Sequence, residues 1–264
     1  MKLHIVPAST GFTWVKLGVQ TFFRQPLAMT GLFFMFMATV SVLSVIPLFG
    51  TAISLVLVPA ATLGLMAATR EASHGRFPMP VTLITAFRAG PARARPMLML
   101  GGMYAAALLL VVAAASLLSG TGAPLELPEG TEATPEMAVQ AMLGNLGFWF
   151  GLALYLPTIM AFWHAPALVH WHGVSPGKSL FFSLMACWGN RSAMLFYLLG
   201  WTGVMMVMAL CLGVVGVLLG GGQAMGIVVY PAVLFIASMF HTSIFFTFRD
   251  SFVTDADPGL PTQS

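Results

Sequence analysis

Four long stretches of this sequence contain no Asp, Glu, Lys or Arg, and they constrain the fold more than any other feature. The stretches are residues 27–69, 96–125, 137–177 and 192–248. A helix rises about 1.5 Å per residue, so roughly 20 apolar residues cross the hydrocarbon core of a bilayer. The first and last stretches are each long enough for two crossings and the middle two for one each. This pattern predicts an all-α integral membrane protein with six transmembrane helices.

The composition supports lipid as the solvent of these helices. Charged residues make up 7% of the 264 residues and hydrophobic residues 58%, whereas about 25% of an ordinary soluble domain is charged. Residues 47–50 and 220–222 are rich in Pro and Gly and divide the two double-length stretches. Pro and Gly often interrupt helices. The predicted spans are 27–46, 51–69, 97–118, 144–169, 193–217 and 224–247.

The basic residues predict the orientation. All 11 Lys and Arg residues fall on one side of this topology. The long loop on the other side carries only acidic charges, at Glu126, Glu129, Glu132 and Glu136. Short loops rich in Lys and Arg stay in the cytoplasm. We therefore expect a multi-pass protein of the bacterial inner membrane with both termini in the cytoplasm, and we attribute the net charge of +3 to topology and not to nucleic-acid binding.

A repeated motif suggests three related units. The pattern Pro-x14-His-Gly-x2-Pro occurs twice at an offset of 98 residues, as Pro59, His74, Gly75 and Pro78, then as Pro157, His172, Gly173 and Pro176. Pro231 falls inside the second helix of a third pair. Each predicted unit is an interfacial amphipathic helix followed by a helical hairpin with a proline kink. The units, about 10–75, 79–173 and 176–249, form a single transmembrane domain over 1–250, and 251–264 is predicted to be a disordered cytoplasmic tail.

Three segments show the 3.6-residue period of an amphipathic helix: residues 10–24, 80–90 and 176–191. Their predicted apolar faces are Phe12, Val15, Val19 and Phe22; Val81, Ile84 and Phe87; and Leu180, Phe181, Leu184 and Trp188. Their predicted polar faces are Thr13, Lys16, Gln20 and Arg24; Thr82, Thr85 and Arg88; and Lys178, Ser179, Ser183 and Arg191. Such helices can lie in the headgroup plane of a membrane. The alternative is that they pack against loops or against one another.

Six basic residues beside these segments are candidate contacts for anionic lipid headgroups: Lys16, Arg24, Arg93, Arg95, Lys178 and Arg191. A Lys or Arg close to an anionic leaflet contributes about 1 kcal/mol of attraction. The alternative is that these residues only fix the topology.

The predicted membrane interior offers little catalytic chemistry. It contains no Asp, Glu, Lys or Arg, which argues against an ion-coupled transporter, although a channel can use backbone carbonyls. Histidines near the basic side, with Glu71 or Cys187, are the candidates for a metal or haem site: His74, His164, His170, His172 and His241. We favour the alternative, in which they hydrogen-bond to the backbone. Nucleotide-binding, zinc-protease and hydrolase motifs are absent from the sequence, so we predict no catalytic, metal or cofactor site.

The chain resembles an uncharacterised six-helix inner-membrane protein family of proteobacteria. The resemblance rests on Trp14, the run from Phe22 to Pro26, the run from Ala165 to Val169, Gly173, Pro176, and Phe182 with Ser183. It extends over most of residues 10–250 and, more distantly, to membrane domains attached to some bacterial glycerophosphodiester phosphodiesterases. The resemblance implies no catalytic residues, and the phosphodiesterase domain itself is absent from this sequence. His164 and His170 do not belong to the pattern.

The leading functional prediction is a non-enzymatic inner-membrane protein without cofactors. It would bind membrane lipids, anionic ones among them, or a membrane protein partner or a second copy, through its cytoplasmic interfacial helices. The alternative is a passive transporter or channel for a small or amphipathic solute, framed by the second, fourth and sixth membrane helices. A polar path between those helices would support transport, whereas an apolar bundle with basic pockets would support lipid binding.

Overall fold

Helices form almost all of the described fold. The computed structural model describes residues 2–119, 135–218 and 224–253. The elements are β1 Lys2–Leu3, α1 Thr10–Arg24, α2 Pro26–Ser44, α3 Gly50–Ser73, a 3-10 helix Pro80–Ile84, α4 Thr85–Arg88, α5 Pro91–Ser119, α6 Pro135–Gly144, α7 Leu146–Trp163, α8 Ala165–His172, α9 Pro176–Gly189, α10 Arg191–Leu218, α11 Ala224–Ser251 and β2 Phe252–Val253.

Six segments are long and apolar enough to cross a membrane: Pro26–Ser44, Gly50–Ser73, Pro91–Ser119, Leu146–His172, Arg191–Leu218 and Gly226–Ser251. These segments confirm the six predicted spans. The largest difference is the start of α5, which begins at Pro91 and not at residue 97. Proline has no backbone N–H and is favourable in the first turn of a helix, where that group has no partner in the helix.

The membrane helices form three hairpins, α2 with α3, α5 with α7, and α10 with α11. At one end of the bundle the starts of α2, α5 and α10 meet the ends of α3, α8 and α11. This end also carries α1, α4 and α9, and we call it the basic end. The turn at residues 45–49 lies at the opposite end. Of the four glutamates predicted for the outer loop, Glu136 is exposed on α6 and the other three lie outside the described residues.

Helix α1 packs against the last hairpin and not mainly against the hairpin that follows it. Trp14 and Phe22 are fully buried on its inner face, and the indole N–H of Trp14 donates to Asp250 Oδ2 at 2.9 Å. Glycines allow the close approach, since a Cβ on Gly18 would lie 2.8 Å from Ser243 Cα. The predicted apolar face of α1 is turned into the protein except for Phe12, which is 48% exposed.

In the other two surface helices, small polar side chains are buried and several apolar side chains are exposed. In α9, Ser179 and Ser183 are fully buried, whereas Phe181 and Trp188 are 59% and 60% exposed. In the 3-10 helix, Thr82 is buried and Val81 and Ile84 are exposed. The physical reason is that the neighbouring helices supply hydrogen-bond partners to the buried hydroxyls: Ser183 donates to the Met160 carbonyl and Thr82 to Glu71.

The prolines expected to kink the membrane helices do not end them. Helices α3, α7 and α11 are continuous through Pro59, Pro157 and Pro231. The observed break, between α7 and α8, lies at His164, two residues before Pro166.

Both copies of the His-Gly motif end a helix. His74 caps α3 and His172 is the last residue of α8, and the following Gly75 and Gly173 have φ of 75° and 65°. This is the left-handed conformation that glycine adopts readily after a helix. The arrangement of the chain in three units stays a prediction.

The two chain ends meet at the basic end. Lys2 and Leu3 pair in antiparallel fashion with Val253 and Phe252. The tail predicted to be disordered from residue 251 therefore includes three residues with a fixed place in the fold, since Ser251 also belongs to α11. Residues 254–264 lie outside the described part of the chain.

Candidate functional site at the basic end

All six predicted lipid contacts lie at the basic end. Lys16 and Arg24 are on α1, Arg93 and Arg95 on the start of α5, Lys178 on α9, and Arg191 opens α10. Five of them are exposed and Arg93 is half-buried. The structure thus brings the predicted residues to one end of the bundle but gives them two different kinds of surroundings.

Arg24 and Arg93 cap the ends of helices. The guanidinium of Arg24 donates to the Ser73 carbonyl at 2.9 Å, and that of Arg93 donates to the Val169 carbonyl at 3.2 Å. The last carbonyls of a helix have no partner within it and carry partial negative charge, so both contacts stabilise a helix end. These two arginines therefore have a structural task and are less available to a ligand.

The other four cations, Lys16, Arg95, Lys178 and Arg191, form no ion pair or side-chain hydrogen bond with any described residue. The ion pair at this end, within the described residues, joins Arg249 to Asp250 at 2.6 Å. Among the six candidates, these four exposed charges are the ones best placed to meet an anion.

Apolar side chains are exposed on α9, between two of these charges. Phe181, Phe182, Met185 and Trp188 recur at helical spacing on the outer face of α9, with Lys178 at the start of the helix. Leaving such side chains in water is unfavourable by about 25 cal/mol per Å² of apolar surface. An amphipathic surface with aromatic and basic residues is typical of a helix at the boundary of headgroups and acyl chains.

The inner face of α9 joins the break between α7 and α8. The amide of His164 donates to Ser183 Oγ at 2.9 Å, and that hydroxyl donates to the Met160 carbonyl at 2.7 Å. Cys187 Sγ lies 3.6 Å from the same carbonyl. Burial raises the pKa of the Cys187 thiol to about 12, because the thiolate would be desolvated. The thiol is therefore neutral and not an activated nucleophile.

The histidines do not assemble into a metal site. Among residues 2–119, 135–218 and 224–253 there is no group of three His, Cys, Asp or Glu side chains that could hold a metal ion. His164 is fully buried, with Nε2 3.1 Å from Thr247 Oγ1 and Nδ1 3.9 Å from Cys187 Sγ. His74 and His241 each hydrogen-bond through Nδ1 to a backbone carbonyl in the preceding turn. His164 and Cys187 are neighbouring potential ligands, but zinc takes three or four ligands from a protein.

The hydroxyls along α11 are used within the protein. Thr242, Ser243 and Thr247 donate to carbonyls of their own helix. Ser243 also accepts from Tyr197 and from the indole of Trp201. These hydroxyls therefore already have hydrogen-bond partners within the protein.

An apolar groove of about 560 Å³ lies between α5 and α7, lined by Ala107, Ala114, Leu154, Pro157 and Phe162 among others. It is at the depth of the membrane spans and open on one side. Its lining offers no arrangement of polar groups that would orient a solute.

A comparison with known proteins places this chain among inner-membrane proteins. It is 34% identical over 263 residues to a probable inner membrane protein of Burkholderia thailandensis, and the alignment covers 99% of this chain and 97% of that protein. This chain belongs to the same family. With its six membrane-competent helices, it is an inner-membrane protein with several transmembrane segments.

Other comparisons add nothing to this family relationship. No protein-family model and no solved structure matches the chain. The predicted distant link to the membrane domains of glycerophosphodiester phosphodiesterases stays a prediction.

Sequence reasoning missed the polar contacts that hold the basic end together. Asn190, which is 2% exposed, accepts from the Val6 amide at 2.9 Å and donates to the His4 carbonyl at 3.0 Å. Trp14 and Asp250 meet although 236 positions separate them. An Asn between the surface helix α9 and the membrane helix α10 was the available signal, because a polar side chain that becomes buried in such a place needs a partner.

Proposed function

We propose that this protein is a non-enzymatic inner-membrane protein that binds anionic lipid headgroups at the cytoplasmic surface of the membrane through α9 and the charges around it. The observation that carries the proposal is the exposed apolar side of α9. Its hydroxyls point into the protein and its exposed face combines Phe181, Phe182 and Trp188 with Lys178. A helix with this exposed face is suited to a lipid surface.

The charge distribution supports an anionic ligand. Lys178 and Arg191 flank α9 and have no acidic partner among the described residues. Each such charge contributes about 1 kcal/mol near an anionic leaflet. Together they would strengthen the binding of an anionic lipid by about 2 kcal/mol, or roughly 30-fold in affinity.

Native mass spectrometry of the protein during stepwise delipidation tests this proposal. We expect a retained anionic phospholipid, and we expect the double variant Lys178→Gln, Arg191→Gln to bind it roughly 30-fold more weakly. The matched control is Arg76→Gln, Arg88→Gln, which removes the same charge from exposed positions of the basic end that are not on α9 or at its ends. Equal losses in both variants, or retention unaffected by either, would contradict a site at α9.

We further infer that the basic end is cytoplasmic. The support is the concentration of Lys and Arg at this end, which the positive-inside rule places in the cytoplasm. In a Cys211→Ala background, a membrane-impermeant thiol reagent added to spheroplasts should modify Phe49→Cys at the opposite end. It should modify Arg88→Cys only after the membrane is permeabilised. The reverse pattern would show that the orientation is inverted.

We also infer that the chain is built from three related units, as the motif spacing suggests. The capping contacts support the first two units, because Arg24 and Arg93 each connect the start of a hairpin to the end of its second helix. The packing of the surface helices supports all three. The 3-10 helix packs on α3, α9 on α7 and α8, and α1 on α10 and α11. The 3-10 helix and α9 each contact the hairpin that precedes them in the sequence, whereas α1 contacts the last hairpin.

A further inference from the structure

The break between α7 and α8 contains a side chain from another helix. In a continuous helix the amide of His164 would donate to the carbonyl of Met160, four residues earlier. Here Ser183 Oγ lies between them, accepting from His164 at 2.9 Å and donating to Met160 at 2.7 Å. Insertion of a side chain into the ladder of hydrogen bonds is a recognised cause of a bend.

This arrangement has an alternative that leaves both backbone groups paired and releases the Ser183 hydroxyl. If Ser183 moved away, His164 and Met160 could form the ordinary helical hydrogen bond directly. The buried amide would then still have a partner, as buried backbone groups require. Pro166 keeps the chain bent here, because it has no N–H and its ring clashes with the carbonyl of Phe162. The His164 amide and the Met160 carbonyl lie before it, so the junction would have different bend angles with and without the inserted hydroxyl.

Ser183 lies on the helix that carries the lipid-facing stripe. Phe182 is its neighbour in sequence and is exposed, and Phe181 and Trp188 lie on the same outer face. Since α9 is a single helix of 14 residues, a change in how deeply its outer face enters the lipid also moves its inner face. The position of Ser183 relative to the junction then depends on the surrounding lipid.

We propose that α9 couples the lipid surface to the angle between α7 and α8 through the Ser183 hydroxyl, an inference that rests on the proposed lipid binding. Helix α7 has 18 residues and is therefore about 27 Å long. A change of about 20° at the junction, the size of a sharp kink, moves the far end of α7 by about 9 Å. The lipid bound at the basic end thus controls the shape of the bundle at the opposite end.

The test measures a distance between two spin labels at the opposite end of the full-length protein in lipid nanodiscs. The labels are attached to Leu146→Cys, at the start of α7, and Val45→Cys, after α2, both exposed positions. The native thiol at Cys211 is replaced by alanine, and Cys187 is buried. We expect the mean distance to differ by several ångströms, and by at most about 9 Å, between phosphatidylglycerol and phosphatidylcholine nanodiscs.

Three variants identify the link. Ser183→Ala removes the inserted hydroxyl, so the distance should become the same in both lipids. Ser179→Ala is the matched control, because Ser179 is equally buried on α9 but donates to the Pro176 carbonyl of its own helix. It should respond to lipid as the unaltered protein does. The double variant Phe181→Ala, Trp188→Ala leaves the junction intact but weakens the lipid contact, and should also abolish the difference.

The outcomes separate this inference from the proposed function. An unchanged distance in the two lipids, together with retention of anionic lipid in native mass spectrometry, would overturn the coupling and leave lipid binding in place. A full lipid response in Ser183→Ala would also overturn it. If that variant does not fold, a response that persists in Phe181→Ala, Trp188→Ala overturns it instead. Failure to retain any anionic lipid would overturn both proposals.

Discussion

Substitution of Gly18 by alanine tests the placement of α1 against α11. A Cβ at this position would lie 2.8 Å from Ser243 Cα and closer still to Ser243 Cβ, whereas carbon atoms in contact are about 3.5–4.0 Å apart. The two helices would therefore have to separate by about 1 Å. Overpacking of this kind costs about 1–3 kcal/mol, and alanine returns about 0.5–1 kcal/mol through its better helix propensity. The net effect is a loss of about 1–2 kcal/mol.

Thermal unfolding of the purified protein in detergent measures this loss. A change of 1 kcal/mol shifts Tm by about 2–4 °C for a chain of about this length, so Gly18→Ala should lower Tm by about 2–8 °C. Gly31→Ala is the control, because a Cβ on Gly31 has no atom within 4 Å. It should leave Tm unchanged or raise it slightly. If Gly18→Ala behaved like Gly31→Ala, α1 would not pack against α11 at Ser243, and the reasoning would be refuted.

Two further predictions concern buried groups at and near the basic end. Asn190→Ala removes two hydrogen bonds to the N-terminal segment and one to Ser251, so it should cost about 2–4 kcal/mol. Asn145→Ala is the control. It removes one helix cap and should cost about 1 kcal/mol. Equal shifts of Tm in Asn190→Ala and Asn145→Ala would contradict the assigned contacts. The pKa of Cys187 is raised to about 12, so its thiol stays protonated at about pH 8. N-ethylmaleimide should then modify exposed Cys211 and leave Cys187 intact until the protein is denatured, and modification of Cys187 in the folded protein would disprove its burial.

The six membrane helices were predictable because their signal is local. A charge-free stretch of about 20 apolar residues has few alternatives to a membrane span, and all six predicted spans correspond to helices. The partner of α1 was not predictable in this way. Gly18 meets Ser243, and Trp14 meets Asp250, and neither pair leaves a periodic pattern in the sequence. Only the three-dimensional fold brings the N-terminal helix onto the last hairpin.

The six candidate cations show what residue type and position in the sequence can predict about a site. Their common location followed from the topology, since each lies on or just after a surface helix that precedes a membrane span. Their tasks did not follow, because an arginine at a helix start can face a lipid phosphate or a free carbonyl. Arg93 has a carbonyl of α8 within reach and binds it, whereas Arg95, two residues later and on another side of α5, is exposed. The difference depends on which helix end lies nearby.

The two sides of α9 show what the sequence pattern left open. The 3.6-residue period predicts an apolar side and a polar side, but it does not say which of them contacts the rest of the protein. In the structure Phe181 and Trp188 are exposed and Ser183 is buried. At the break between α7 and α8 the His164 amide and the Met160 carbonyl lack their usual helical partners. The amide donates to the Ser183 hydroxyl, which in turn donates to the carbonyl, so the break in one helix explains why a polar side chain of another helix is buried.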